Sequence, residues 1–247
     1  MTSSDLWTED DAEHYDEVSA GSFAPGVVEP AVDFLARLAG DGPALEFASG
    51  TGRVAVPLSR RGVRVSGIEL SEPMTRRLRA QVPESELPVV TGDMATTRVE
   101  GEFTLVYLVF NTIGNLCTQA EQVECFRNAA RHLAPGGRFV IEVGVPPLRR
   151  LPPGQVAVPF EVSERHTGLD TFDLVTQQAT SHHYHRTDDG RVRYGASNFR
   201  YVWPSELDLM AQLAGLEPEQ RLAGWDGSPF TADSESHVSV WRRPQAG

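Results

Sequence analysis

The sequence predicts an α/β chain built on a parallel, doubly wound sheet, and three observations carry that expectation. Between residues 44 and 145, short apolar runs of strand length alternate with longer stretches at helical spacing. Helix-start signals fall in the gaps: Ser71 as a cap, and Thr118 with Glu121 as a capping box. A glycine-rich turn, Gly50-Thr51-Gly52, comes directly after the first run.

Residues 1–40 read as a polar lead and then a helix, with Pro30 in its first turn and Val32, Leu35 and Leu38 as its apolar stripe. Strands are expected at 44–47, 63–68, 87–90, 103–110 and 138–143. Pro57 should confine the helix after the first strand to a short section. The second helix runs from its Ser71 cap to Gln81. The next ends at Leu133 with Val123, Phe126, Ala130 and Leu133 inward, and Pro135-Gly136-Gly137 turns the chain into strand five. From 155 to 203 strict alternation replaces helical spacing, with Asp188-Asp189-Gly190 as a hairpin turn. Pro204 then opens a helix with Leu207, Met210 and Leu213 or Leu216 inward. A strand ending near Trp225 and a last one at 237–241 close the chain.

Composition removes whole classes of function. The chain has 247 residues and a formal charge of −12, and all 22 basic side chains are Arg. Without lysine there is no Schiff base, no P-loop phosphate lysine and no kinase-type lysine. An acidic surface with scattered Arg also argues against a nucleic-acid partner, so the expected substrate is small and not polyanionic. The first 17 residues carry seven acids and no Lys or Arg, unlike a signal peptide. The most apolar run, 105–110, is too short to span a bilayer. Cys117 and Cys125 read as free thiols, and the expected location is cytoplasmic.

Chemistry concentrates at the strand ends. Glycines after strand one let backbone approach a ligand closely. Read as Gly50-x-Gly52-x-x-Ala55 with Glu69 placed 19 residues later, the loop also fits a dinucleotide fingerprint, so an NAD-dependent oxidoreductase stays open at this point. The surrounding acids favour another ligand. Glu46 suits an ammonium group, Glu69 both ribose hydroxyls, and Asp93 an adenine amino group with Met94 against the ring. A pyrophosphate would meet repulsion from Glu46 and Asp93. Phe110 and Asn111 end strand four, Asn111 facing an acceptor, and Arg53 opens the helix after the loop, within reach of a carboxylate.

Four segments in this order resemble the class I S-adenosylmethionine-dependent methyltransferases. They are Glu46-x-Ala48-Ser49-Gly50-Thr51-Gly52, Gly67-Ile68-Glu69-Leu70-Ser71, Gly92-Asp93-Met94, and His132-Leu133-x-Pro135-Gly136-Gly137. Ala48 stands where many members have Gly. Within the family, the sugar N,N-dimethyltransferases of macrolide biosynthesis are the nearest resemblance. It implies a Rossmann-like sheet of seven strands with the last antiparallel, and an antiparallel β insertion after strand five. The implied organisation is a lid and helix at 1–40, a cofactor-binding core at 41–150, the insertion at 151–203 as acceptor or dimer face, and elements at 204–247 that complete the sheet. The cofactor would be S-adenosyl-L-methionine, leaving as S-adenosyl-L-homocysteine. Its expected contacts are Tyr15, Glu46, Ala48, Ser49, Gly50, Gly52, Arg53, Glu69, Leu70, Asp93, Met94 and Phe110.

The acceptor is less sharply written. An amine on a small metabolite is favoured over an aromatic carbon or a hydroxyl, and a protein that binds the cofactor without turnover stays in view. Tyr15 lies in the lead that similar enzymes fold over the cofactor, and its phenol would orient the acceptor, with packing on an amphipathic helix as the alternative. Phe23 belongs to the same lead. In His182-His183-Tyr184-His185, strand alternation puts His183 and His185 on one face. An exposed or interface face of the sheet is the default for these histidines, with a base role as the second reading, His185 its catalytic candidate and His183 lining the acceptor; Tyr201 either lines the acceptor or packs in the core. No carboxylate or cysteine at ligand spacing accompanies them, so the sequence assigns no metal. Arg191, Arg193 and Arg200 on the hairpin would offer a homodimer face.

Overall fold

Strand-length apolar runs become strands where expected, and their alternation sorts side chains to two faces. The structure is a computed structural model describing residues 25–245. Its strands are β1 Ala44–Phe47, β2 Val65–Glu69, β3 Val89–Thr91, β4 Phe103–Leu108, β5 Leu133–Gly144, β6 Ala157–Val162, β7 His166–Phe172, β8 Gln178–Arg186, β9 Val192–Arg200, β10 Glu217–Leu222 and β11 Ser236–Arg242. Seven make one sheet in the order β10-β11-β5-β4-β1-β2-β3, and β6 to β9 make a second, antiparallel sheet. Within the first, β3-β2-β1-β4-β5 are parallel, and β11 runs antiparallel to both β5 and β10.

The helices are α1 Pro25–Ala39, α2 Ala55–Arg60, α3 Glu72–Arg79, α4 Gln119–His132 and α5 Pro204–Leu213. Leu45, Phe47, Val106, Leu108, Phe139 and Ile141 face α4 and α5. Their neighbours Ala44, Leu105, Tyr107 and Val140 face α1, α2 and α3. A central sheet covered on both sides reads as near-continuous apolar sequence, and strand four shows that pattern most plainly. Both expected caps form: Ser71 accepts from the Met74 amide, and Thr118 and Glu121 close a capping box.

Several boundaries differ from expectation, each for a physical reason. Helix α1 starts one turn earlier and carries Pro30 inside it. The bond lost there would have ended on Gly26 in the first turn, and buried Val28 extends the stripe backwards. Strand β4 stops at Leu108 because Phe110 and Asn111 turn left-handed. The Pro135-Gly136-Gly137 turn lies inside β5 as a bulge, between the pairs Leu133–Phe103 and Arg138–Leu105. Leu216 is the inward residue after α5, while Leu213 is exposed.

Arg200 is the largest correction in the insertion. It is buried, so it offers no dimer face. Its guanidinium donates to Gln122 on α4, to Gln177, and to the Glu206 carboxylate on α5 at 2.6 Å. Burial raises the Glu206 carboxyl, but hydrogen bonds from Gln177, Arg200 and Gln119 bring it below the usual range. This pair anchors the second sheet to the first, and removing one partner from such a site costs about 3–5 kcal/mol. Both cysteines are free and buried, and burial pushes the Cys125 thiol far above its usual range. Among the described residues no helix is long and apolar enough to cross a membrane.

His237, fully buried on β11, predicts acid sensitivity. Burial and Arg221 hold its imidazole down at about 4, against an ordinary 6.5. The unfolded chain takes up this proton below pH 6.5, and the folded one refuses it until about pH 4. Its contribution is therefore complete above pH 6.5 and declines as pH falls towards 4, by roughly 3 kcal/mol at most. In denaturant titrations across that range, His237→Gln should flatten the loss of stability; an unchanged slope would assign the sensitivity elsewhere.

Candidate functional site

The carboxyl ends of β1, β2, β3 and β4 meet along one edge of the sheet, where an open doubly wound fold receives ligands. After β1 the chain passes through Ala48, Gly50 and Gly52, all at positive φ (54°, 56° and 90°). Gly52 is required twice over, since a Cβ there would stand 2.7 Å from the Val56 side chain. Gly67 on β2 leaves room for Ser49, whose Oγ would lie 2.2 Å from an added Cβ. Ser49 is buried and donates its amide to Ile68, so the loop lies close over β2.

Glu69 ties this loop to the next one. Its two oxygens accept from the amides of Gly50 and Ser71, each at 2.7 Å. Burial raises its carboxyl, against the pull of the Ser71 and Gly50 amides. A carboxylate offers about four lone-pair sites, so two remain for hydroxyl groups. Leu70 beside it is half-buried. Asp93, after β3, accepts the Ala95 amide on one oxygen at 2.8 Å. Met94 beside it is buried against the core cluster.

Glu46 is the most unusual side chain here. It is buried, and its Oε2 meets no hydrogen-bond partner. Burial holds its carboxyl well above the usual range, offset partly by the Arg53 charge. The Tyr107 hydroxyl, also buried, lies beside Glu46, and burial and then the Glu46 carboxyl push it upward. An orphaned carboxyl oxygen beside a glycine loop fits a cationic group of a bound ligand.

Strain marks the neighbouring strand end. Phe110 and Asn111 are consecutive left-handed residues at φ 58° and 59°, and neither is glycine. Glu142 on β5 holds them, accepting the Phe110 amide on one oxygen and the Trp225 indole on the other. Burial raises its carboxyl in turn. The Asn111 side-chain oxygen accepts the Gly144 amide, and the residue itself is exposed. Arg53 lies over the Phe110 ring. Glu142 and Tyr107 are absent from the sequence-level expectation, although an acid inside the apolar run of strand five is a signal that could have found the first.

Three of the remaining expected residues, Tyr201, His183 and His185, belong to the second sheet and its end. Tyr15 and Phe23 lie outside the described residues. Tyr201 fills an apolar cluster with Phe172 and Ala179 and donates its hydroxyl to the Asp173 carbonyl, a packing role. His183 and His185 do share a face, as alternation requires, and join His166 from β7. Gln178 ties β8 to the Cys117 carbonyl. His185 lies seven residues further on, about 23 Å along the strand. Burial, then the charges of His166 and its neighbours, hold His183 and His185 below the ordinary histidine range.

A glycine loop followed by acids at the ends of β2 and β3 marks the ligand edge of an open α/β sheet. Comparison with known proteins narrows this. Residues 44–137 match the methyltransferase domain family. The structure of the CcbJ methyltransferase from Streptomyces caelestis superposes with a TM-score of 0.85 at 37% identity, covering 99% of this chain and 98% of that one. The cypemycin N-terminal methyltransferase of a Streptomyces species is 26% identical across 98% of this chain and all of its own. A dTDP-amino-sugar N,N-dimethyltransferase of Streptomyces venezuelae is 34% identical over 40% of each chain. The chain belongs to the class I S-adenosylmethionine-dependent methyltransferases, and S-adenosyl-L-methionine is its cofactor. The oxidoreductase reading of the glycine loop falls with this.

Ala48 offers a direct test of strain. A non-glycine residue in the left-handed region costs about 1–2 kcal/mol, only partly returned by a less flexible unfolded chain. Ala48→Gly should raise the unfolding free energy by about 0.5–1 kcal/mol in chemical denaturation. A decrease would mean that the lost methyl contact outweighs the strain.

Proposed function

We propose that this enzyme methylates an amine on a small natural-product acceptor. The observation that carries the cofactor assignment is Glu46, a buried carboxyl with one oxygen unmatched by any described group. That oxygen suits the ammonium of an amino-acid moiety. The two spare lone-pair sites of Glu69 suit ribose hydroxyls, and the second oxygen of Asp93 suits an adenine amino group. The preference for nitrogen rests on the relatives: the one matched along its whole length is named for N-terminal methylation, and the other for N,N-dimethylation of an amino sugar.

When bound, S-adenosylmethionine would supply a methyl already activated on a sulfonium for transfer to the acceptor nitrogen, with the sulfur departing as a neutral thioether. The protein's part is alignment and exclusion of water. The left-handed pair Phe110–Asn111 stiffens one wall, held by Glu142 and Gly144. Asn111, exposed at that wall with its side-chain oxygen engaged by the Gly144 amide, is the acceptor-side group through its amide nitrogen. Tyr15 supplies the orienting phenol from the lead. An amine needs only to be neutral when it attacks, so no strong base is required, and His185 has no necessary part in the step.

Two variants test this reading by calorimetry and by methyl transfer to amino-sugar and peptide N-terminal acceptors. Asp93→Asn keeps the Ala95 contact and removes the carboxylate. It should weaken S-adenosylhomocysteine binding by about 1–3 kcal/mol; unaltered affinity would remove Asp93 from the adenine side. Tyr15→Phe should lower kcat while leaving cofactor affinity intact. Equal loss of both would make Tyr15 a packing residue. Transfer to oxygen or carbon acceptors only would overturn the amine assignment.

A further inference from the structure

The second sheet carries a side-chain cluster that methyl transfer does not use. His166 on β7 and His185 on β8 are register partners, and His183 stands two residues along on the same face, opposite Gly168. Their three rings are parallel to within 3°, with centroids 4.2 to 6.0 Å apart. One nitrogen from each lies within 4.8 Å of the others, and all three residues are half-buried. His166 Nε2 is 3.0 Å from His183 Nδ1.

The outer strand completes the arrangement. A β-bulge between Pro159 and Glu161 puts the Glu161 carboxylate 2.8 Å from His166 Nδ1. A carboxylate only accepts, so Nδ1 carries the proton and Nε2 presents its lone pair to His183. Phe160 in the same bulge lies 5.3 Å from the His183 ring and occupies the space above Gly168, where a Cβ would stand 2.1 Å from its ring. Ser181 Oγ lies 3.3 Å from the far nitrogen of His183. The junction between His166 and His183 therefore holds a single electrophile, either a shared proton or a metal ion.

We propose that His166, His183 and His185 form a binding site for a borderline divalent cation, zinc foremost, on three imidazole nitrogens with the fourth position open to water. Tetrahedral coordination at 2.0–2.1 Å sets ligand nitrogens about 3.3 Å apart, close to the spacing already present between His166 and His183. Glu161 supplies the carboxylate that orients a metal-bound histidine through its other nitrogen. Capture requires the parallel rings to turn about χ2, a broad and shallow torsion. Two histidines alternating on one strand and a third across the ladder come from rigid backbone, so little ordering remains for the ion to impose. The donors are all nitrogen, which favours zinc, nickel or copper over magnesium or calcium.

The test uses the full chain without an affinity tag. Calorimetric titration with zinc chloride should give one ion per chain, and cobalt(II) should develop the intense visible bands of a tetrahedral site. His183→Ala and His185→Ala should each weaken zinc binding at least a hundredfold, and Glu161→Gln roughly ten- to a hundredfold. His182→Ala, on the opposite face, should leave it unchanged. Binding of S-adenosylhomocysteine should be the same with and without the ion, which separates this outcome from the methyltransferase reading. An octahedral cobalt spectrum, or zinc affinity indifferent to His183 and His185, overturns the proposal. Should the alanine variants fail to fold, the wild-type cobalt spectrum decides by itself.

Discussion

The carboxylate of Glu69 holds two chain reversals in place at once. One oxygen fixes the amide of Gly50 in the loop after β1, and the other fixes the amide of Ser71 at the start of α3. Those loops leave adjacent parallel strands in the same direction, and a β ladder does not align residues beyond its last pair. A side chain at the last residue of β2 supplies the alignment. Much of the edge depends on it: the left-handed path through Ala48 and Gly50, and the close approach of Ser49 to Gly67. Burial makes this carboxyl harder to ionise, and the two amide donors offset that cost.

Strain is distributed in the same place. Three of the four left-handed residues other than glycine found among the described residues are Ala48, Phe110 and Asn111, at the ends of the paired strands β1 and β4. Each such conformation persists only where neighbours over-determine it. Glu142 and Gly144 do so for the second pair, and Glu142 is in turn held by Trp225 from the segment between β10 and β11. The antiparallel end of the sheet, remote in sequence, thus stiffens the ligand edge. A fold that only stacked strands and helices would not need this connection.

Much of the architecture is legible in the sequence because it rests on local chemistry. Capping at Ser71 and Thr118, the short helix around Pro57, and the apolar runs of β1 and β4 obey rules that act within a few residues. The four cofactor segments are legible for a different reason: a backbone that must approach a ligand narrows the residues allowed. The features that escape are non-local. Pro30 reads as a helix start because a single proline does not reveal which carbonyl it leaves without a partner. Arg200 reads as surface, since its partners Gln122 and Glu206 lie on helices that only the fold brings to it. The third histidine lies 17 residues before His183, and the Glu161 carboxylate reaches it through a bulge that alternation alone cannot foresee.

The unmatched oxygen of Glu46 has a consequence for the economy of the catalytic cycle. The ammonium that suits it belongs to the amino-acid end of the cofactor, and that end is the same before and after the methyl leaves. Such a contact holds donor and product equally, so it can lower the concentration needed for saturation without accelerating transfer. Burial makes that carboxyl hard to ionise, and a cation seated beside it would offset the cost, so ionisation of Glu46 and loading of the cofactor favour one another, in step with exchange of the cofactor and out of step with the chemistry.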